Sequence, residues 1–500
     1  MHTPLLLAMA ADAAPDRPAF GRRADGLTFE AARRRARGAA AFLGGQGGEA
    51  VVFIGLNGPA LPVAIFAAGL LGKPFTPLNY RLPDADLNRL LARTAPSVAI
   101  VDDDMAHRLQ PVDGVMVVTR SAFEAASAQP ANIDAELPWA EPDIAVLLFT
   151  SGTTGEPKAA VLRHANLASY VISTVEFMGA DEDEAALVSV PPYHIAGVSA
   201  VLTGVYCGRR IVHLEAFTPQ TWVEAAAAEA ITHAMLVPTM LGRVLDVLEQ
   251  TGERLPALRA LSYGGGRMPP AVIERALRLL PHVDFVNAYG LTETSSTISV
   301  LDPEDHRRAL GSGDAEVRAR LHSVGRPLPS VEIEIRGPAG EPLAAGARGE
   351  VYVRGEQVAG EYLSRRLTDA EGWFATRDAG FLDQEGYLFL DGRLDDVIVR
   401  GGENISPGEI EDVLRAHPQV ADVAVVGAPD DQWGERVAAV IVARQPDLAA
   451  DELSGWVRAR LRSTKTPETW LFRAELPYNE TGKLLRRVLK AELAGADAAT

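Results

Sequence analysis

Seven short apolar runs, each set off from the next by a helical pattern, constrain this chain more than any other feature. They are Ala50 to Ile54, Val98 to Val101, Ile144 to Phe149, Arg210 to Leu214, His233 to Val237, Ala260 to Tyr263 and Asp284 to Ala288. Stretches such as Trp222 to Ala230 and Met240 to Gln250 carry helical periodicity between them. Strands alternating with helices predict α/β architecture built on parallel sheet. From about Val324 the pattern changes: VEIEIRG, GEVYVRG and GYLFLDG alternate polar and apolar residues between glycines, which predicts a β-rich unit. Beyond Gly392 a compact α+β pattern follows. There Ser406-Pro407-Gly408-Glu409 has the form of a capping box with proline at N1, opening a helix through Ala416. VADVAVVGA and RVAAVIVA read as strands, and Asp451 to Arg462 and Lys483 to Leu493 as helices.

One of the apolar runs ends abruptly. After Phe149 come Thr150, Ser151, Gly152, Thr153, Thr154, Gly155, Glu156, Pro157 and Lys158. Glycine, serine and threonine clusters are most often simple turns. The alternative is anion binding: glycines admit a close approach of backbone N–H groups, hydroxyls add donors, and lysine adds a compact positive charge. The spacing is not that of a P-loop, in which lysine directly follows the last glycine.

Composition narrows the field. Five hundred residues, 47% of them hydrophobic, can bury a large core divided among two to four domains. A net charge of −18 argues against nucleic-acid or membrane-surface partners, so a polyanionic ligand would need locally placed cations. The single cysteine, Cys207, excludes an internal disulfide and a cysteine-based zinc site. No HExxH and no GxSxG occurs. The N-terminal MHTPLLLAMAADAAPDRPAF lacks a basic n-region and reads as an amphipathic helix ending near Pro15. No run approaches the about 18 apolar residues of a membrane span, so the expectation is a cytoplasmic protein. Among 48 basic residues only Lys73, Lys158, Lys465, Lys483 and Lys490 are lysine. Where arginine has taken nearly every basic position, a retained lysine is a candidate for a place that arginine's shape and hydration do not serve, with Lys73 and Lys490 read as ordinary surface residues.

Further motifs stand in order along the chain: PPYHIAG (191–197), YGGGRMP (263–269), NAYGLTET (287–294), WFATRDAGFLDQEGYLFLDGRLDDVIVRGGENISPGEIE (373–411) and NETGKLLRR (479–487). With the Thr150–Lys158 stretch, this collinear set resembles the adenylate-forming superfamily over essentially the whole chain. The superfamily comprises acyl- and aryl-CoA ligases, firefly luciferase and nonribosomal peptide synthetase adenylation domains. The C-terminal third is most similar to bacterial aryl- and fatty-acyl-CoA ligases.

The resemblance implies an α/β fold class with a large N-terminal AMP-binding domain, residues 1–392, made of two α/β subdomains plus a β-rich subdomain. A hinge at 393–397 and a small mobile α+β C-terminal domain, 398–500, would follow. It implies ATP, Mg²⁺ and CoA as cofactors. A carboxylate would attack the α-phosphate of ATP, giving an acyl-adenylate and pyrophosphate, and CoA would then displace AMP. Thr150, Ser151, Gly152, Thr153, Thr154, Gly155 and Lys158 would hold the β- and γ-phosphates. The family usually has glycine where Ala159 stands. Thr292 would contact the α-phosphate and Glu293 would ligate Mg²⁺. Gly264, Gly265, Gly266, Asn287, Ala288, Tyr289 and Gly290 would bed the adenine, Asp378 the ribose hydroxyls, and Arg393 ribose or phosphate. Asp395 matches the hinge, and Lys483 would stabilise the adenylating transition state electrostatically. Gly401, Gly402, Trp433, Arg436 and Lys465 would serve CoA. In the stretch 463–468 the family's further aromatic and basic residues are missing, and Glu468 is acidic; Arg400 or Arg436 would then hold the nucleotide end.

Tyr193, His194, Val198, Pro238, Gly265 and Ala288 imply an apolar acyl pocket, with His194 as a catalytic gate. No acidic partner for an ammonium accompanies them, which argues against an amino-acid substrate and for an aryl or medium-chain aliphatic acid. Two alternatives stand beside the CoA ligase. One is an enzyme loading an acyl carrier protein, although no inserted segment of that group is evident. The other is a non-catalytic nucleotide-binding homologue, against which the intact Lys158, Glu293, Asp378 and Lys483 argue. The expected assembly is a monomer or a homodimer.

Overall fold

A computed structural model describes residues 1–131, 144–150, 157–430, 432–478 and 484–497. All seven expected runs are strands: Ala50–Ile54, Ser97–Val101, Ile144–Thr150, Arg210–His213, His233–Leu236, Ala260–Gly264 and Asp284–Leu291. Their boundaries move by at most a few residues because the ladders, not the apolar residues, end a strand. The intervening helices include Pro219–Ala228 and Pro238–Thr251. Each begins with proline, whose missing N–H costs nothing in a first turn.

The strands assemble into two large sheets. One has nine described strands, and at its centre Asp284–Leu291, Ala260–Gly264, His233–Leu236 and Ala185–Val188 lie side by side and parallel. The other has eight, with Phe75–Pro77, Ala50–Ile54, Ser97–Val101 and Val115–Thr119 in a parallel array. Ile144–Thr150 adds to it in parallel and then turns back, antiparallel, into Lys158–Arg163, so that Thr150 faces Lys158 across the ladder. Near-continuous burial of such strands as Ala50–Ile54, with all five residues buried, is what cover on both faces of a parallel sheet requires. The N-terminal helix Pro4–Ala13 packs Leu6, Leu7, Ala10 and Ala11 into the core around that sheet.

The β-rich unit is an antiparallel sheet of Val331–Arg336, Gly349–Gly355, Phe374–Leu382 and Leu388–Arg393. A five-stranded sheet follows, built around the Val420–Asp430 and Gly434–Ala443 hairpin. The helix Pro407–Arg415 begins where the sequence places it, but Ser406 makes no side-chain cap. Its Oγ instead donates to the carbonyl of Asp391 at 2.7 Å, across the junction with the preceding sheet. Glu409 pairs with Lys465 at 2.5 Å. A tertiary partner has won each side chain from the local motif.

Candidate active site

In an open α/β sheet, ligands gather outside the carboxyl ends of parallel strands. Four adjacent strands of the nine-stranded sheet deliver the expected residues to one such edge. Ala185–Val188 runs into the segment carrying Tyr193 and His194, and His233–Leu236 into Pro238. Ala260–Gly264 runs into Gly265 and Gly266, and Asp284–Leu291 into Thr292 and Glu293. Two of the glycines are sterically required. A Cβ on Gly264 would stand 2.2 Å from the Ala288 carbonyl oxygen, and one on Gly290 only 1.8 Å from that of Ser296. Gly265 has φ +76°, a conformation that glycine adopts without strain.

Thr292–Thr294 form a single 3₁₀ turn, after which Ser295 and Ser296 take φ of 58° and 115°. Two consecutive non-glycine residues at positive φ are costly and persist where their surroundings hold them. Here Gln357, fully buried, donates from Nε2 to the carbonyls of Thr294 (3.2 Å) and Thr297 (2.7 Å). Thr294 Oγ1 donates to the carbonyl of Ser296 at 2.9 Å. The Ser199 hydroxyl, from the helix that His194 opens, reaches Ser296 Oγ at 3.3 Å.

Glu293 is half-buried, and Tyr362 Oη donates to its Oε1 at 2.6 Å. The Gly360 N–H donates to the Glu293 carbonyl at 2.9 Å. Burial and the Glu293 charge both push the Tyr362 phenol pKa upward, so it stays a donor. Lys158 Nζ stands 5.9 Å from the Tyr362 ring centroid, and Thr150 Oγ1 donates to the Lys158 carbonyl at 3.3 Å. Thr150 and Lys158 therefore join Glu293 at one place. Ser151, Gly152, Thr153, Thr154 and Gly155 lie outside the described residues, as does Lys483.

A second cluster faces the same edge from the β-rich sheet. Tyr289 Oη donates to Asp378 Oδ2 at 2.5 Å, and Arg393 Nε stands 3.0 Å from Asp378 Oδ1. Arg393 also donates to the Thr376 carbonyl at 3.0 Å. Burial, then the Asp378 charge, raises the Tyr289 phenol pKa well above its ordinary value. Asn287 is buried and donates from Nδ2 to the Ser323 carbonyl at 3.0 Å.

The expected acyl-pocket residues do not all line open space. Val198 is 1% exposed in the main core, and Pro238 is buried. Tyr193 packs edge-on against Tyr80 at 5.7 Å and tilts over His194 at 4.8 Å.

On the C-terminal sheet, Gly401 and Gly402 have φ of +56° and +83°. The half-exposed Trp433 covers Gly401, where a Cβ would come within 2.8 Å of its ring. Arg400 lies 5.7 Å from that ring, donates to the Thr464 carbonyl at 3.2 Å and pairs with Glu468. Arg436 Nε donates to Thr469 Oγ1 at 3.0 Å. A cavity of about 380 Å³ opens beside them, lined by Arg400, Ser454, Arg458, Thr466 and Glu468. Asp395 pairs with Arg377 at 3.0 Å and accepts from Lys490 on its carbonyl at 2.7 Å. Arg267, just past the three glycines, reaches Asp412 of the Pro407–Arg415 helix at 2.5 Å.

Tyr362, Gln357, Ser199 and Arg267 are the participants that sequence reasoning missed. Tyr362 sits in a short strand, Glu361–Tyr362, whose only sequence signal is its place after Gly360.

Comparison with known proteins accords with this geometry. Residues 7–363 match the family model of the AMP-binding enzymes, and residues 409–483 that of the AMP-binding enzyme C-terminal domain. A feruloyl-CoA synthase of an Amycolatopsis species is 34% identical over 88% of each chain. A fatty acid–acyl-carrier-protein ligase of Streptomyces coeruleorubidus is 31% identical over 94% of this chain and 92% of that one. The solved o-succinylbenzoate CoA synthetase of Bacillus subtilis, in complex with its acyl-adenylate intermediate, superposes with a TM-score of 0.84. It is 29% identical, and the match covers 97% of both chains.

Proposed function

This chain belongs to the family of AMP-binding enzymes, and from that premise we propose the roles of its residues and the acid it takes. It is an AMP-forming acid–CoA ligase that uses ATP, Mg²⁺ and CoA and activates a hydrophobic carboxylic acid. The acid we propose is an aryl carboxylate. The support is the apolar residues Ile195, Ala196 and Val198 that follow His194 in chain, together with relatives named for aromatic acids. The observation that carries the site assignment is the meeting of Thr150, Lys158, Glu293 and Tyr362 beside the four strand ends.

In the first half-reaction a substrate carboxylate oxygen attacks the α-phosphorus of ATP, and the bond to the bridging oxygen of pyrophosphate breaks. Asp378 accepts the ribose hydroxyls, and its carboxylate is held for this by Tyr289 and Arg393. Lys158 places its charge toward the β- and γ-phosphates, and Thr292 donates to the α-phosphate. Mg²⁺ takes oxygen ligands, and the Glu293 carboxylate, beside the Thr292 hydroxyl in chain, suits it. When bound, the ion offsets negative charge on the phosphates. Lys483 would stabilise charge developing between carboxylate and α-phosphate. In the second half-reaction the CoA thiolate attacks the acyl carbon and AMP leaves. Gly401, Gly402 and Trp433 would flank the arriving pantetheine after the segment 398–500 turns about Asp395.

The test is a panel of benzoates, cinnamates and C4 to C14 fatty acids, scored for AMP release with and without CoA. CoA-dependent release with aryl acids is the expected result, and release confined to fatty acids overturns the substrate class. Lys483→Ala is expected to abolish adenylate formation, and a fully active variant removes the role given to Lys483.

A second acceptor is favoured by one observation. Arg400, a candidate for the CoA nucleotide, is already neutralised by Glu468. An acyl carrier protein, which brings its pantetheine without a free nucleotide, would not need that charge. Pyrophosphate formation indifferent to CoA would identify it. We place the activity in the cytoplasm; among the described residues no helix is long and apolar enough to cross a membrane.

A further inference from the structure

Among the described residues, Tyr362 is the side chain whose hydroxyl donates to the Glu293 carboxylate. Its placement is not incidental to one contact. Tyr362 pairs with Ala160 in the ladder, two residues beyond Lys158, and the next N–H, of Leu363, donates to the Ala159 carbonyl at 3.1 Å. On its other side the chain is pinned to the Glu293 turn by Gly360, whose N–H donates to the Glu293 carbonyl at 2.9 Å. One short segment thus clamps two things at once. Its backbone fixes the strand that carries Lys158, and its phenol holds Oε1 of Glu293. The ring meanwhile offers its face to the Lys158 ammonium at 5.9 Å.

We propose that Tyr362 is a positioning residue for the metal–nucleotide complex. By donating to Oε1 it fixes the Glu293 side chain and leaves the other carboxylate oxygen available to Mg²⁺, while its ring steadies Lys158. The inference rests on Glu293 being the metal ligand, as proposed above. Its physical basis is preorganisation: a hard cation that dehydrates reluctantly gains from a carboxylate already restrained. Nothing in the chemistry of phosphoryl attack requires a tyrosine here. The residue acts through Glu293 and Lys158 and not on the reacting atoms.

Two variants separate the hydroxyl from the ring. Tyr362→Phe keeps the ring over Lys158 and removes the bond to Glu293. Tyr362→Leu removes both. ATP binding is measured by calorimetry on the full chain, without any acid, in the presence of EDTA and across a Mg²⁺ titration. Melting temperatures confirm that each variant is folded. A charge-assisted hydrogen bond of this kind supports about a tenfold effect. Tyr362→Phe is therefore expected to raise the Mg²⁺ concentration for half-maximal ATP binding about tenfold and to leave metal-free ATP affinity unchanged. Tyr362→Leu is expected to weaken metal-free ATP binding as well. In a Glu293→Gln background, the added Phe substitution is expected to have no further effect on the Mg²⁺ requirement. A Mg²⁺ requirement in Tyr362→Phe within twofold of the parent overturns the proposal. So does an equal loss of affinity with and without metal, which would mark a merely structural residue. Should the parent protein itself bind ATP indifferently to Mg²⁺, the metal assignment of Glu293 fails instead. Kinetics give a second readout: the variant is expected to raise the Mg²⁺ requirement of pyrophosphate release while leaving the KM for the acid unchanged.

Discussion

Tyr289 and Asp378 belong to different sheets and are joined by a single hydrogen bond, from the phenol to Oδ2 at 2.5 Å. The bond ties the nine-stranded sheet to the β-rich one at the point where ribose is expected. A carboxylate that is 6% exposed depends on such donors, because leaving one of its oxygens unsatisfied costs about 1–3 kcal/mol. Tyr289→Phe is expected to destabilise the protein by roughly 2 kcal/mol and to raise the KM for ATP more than that for the acid. Thermal unfolding and steady-state kinetics check the two halves. An unchanged melting temperature would show that Arg393 suffices.

Acid should loosen the N-terminal helix. His164 is buried, accepts on Nδ1 from the Thr3 N–H at 3.2 Å, and meets the tilted ring of His2 at 4.6 Å. Burial, then the charge of His2, lowers its pKa from 6.5 to about 4. The folded protein thus holds His164 neutral while the unfolded chain takes up a proton below pH 6.5. Stability from this group is complete above pH 6.5 and falls progressively as the pH drops toward 4. The loss is on the order of 3 kcal/mol by pH 4. Urea unfolding at pH 7.5, 6 and 5 measures it, and His164→Gln is expected to flatten the slope.

The glycines are expected to divide by mechanism. Gly290→Ala would drive a Cβ to 1.8 Å from a backbone oxygen that strained neighbours already fix, and a loss of about 3 kcal/mol or more follows. Gly402→Ala meets open space and strains only a φ of +83°, at about 1–2 kcal/mol. Chemical denaturation of the two variants decides the order.

At the proposed acceptor site, Arg436→Ala is expected to raise the KM for CoA about tenfold, the scale of one charged hydrogen bond, with adenylation unaltered. Glu468→Gln releases Arg400 from its ion pair and is expected to lower that KM. A Glu468→Gln enzyme with unchanged CoA kinetics would favour a carrier protein as acceptor.

Strands were legible in the sequence because a strand buried on both faces can only be written as an apolar run, as Val98 to Val101 is. Thr292, Glu293 and Asp378 could be proposed as site residues because their motifs are long and stand in order. What escaped was set by tertiary partners. Ser406 looked like a cap, but Asp391 captured its hydroxyl. Tyr362 is one aromatic among thirty-one, and it reaches Glu293 only because its strand pairs with the one that carries Lys158. Arg400 looked available for a nucleotide, and a neighbour more than sixty residues away had claimed it. Pair partners so far apart in sequence leave no local pattern.

The indole of Trp433 lies close enough to Gly401 to exclude a methyl group, yet Trp433 is 45% exposed. Trp222 and Trp373, by contrast, are nearly sealed from solvent. Trp456 and Trp470 are half-buried, so in a chain with those two replaced by phenylalanine Trp433 would serve as an optical probe at the proposed acceptor site. A ligand that covers the indole should shift its emission to shorter wavelength, while nucleotide bound at the strand ends should leave that colour alone. The order in which substrates arrive could then be followed in stopped flow without attaching a dye.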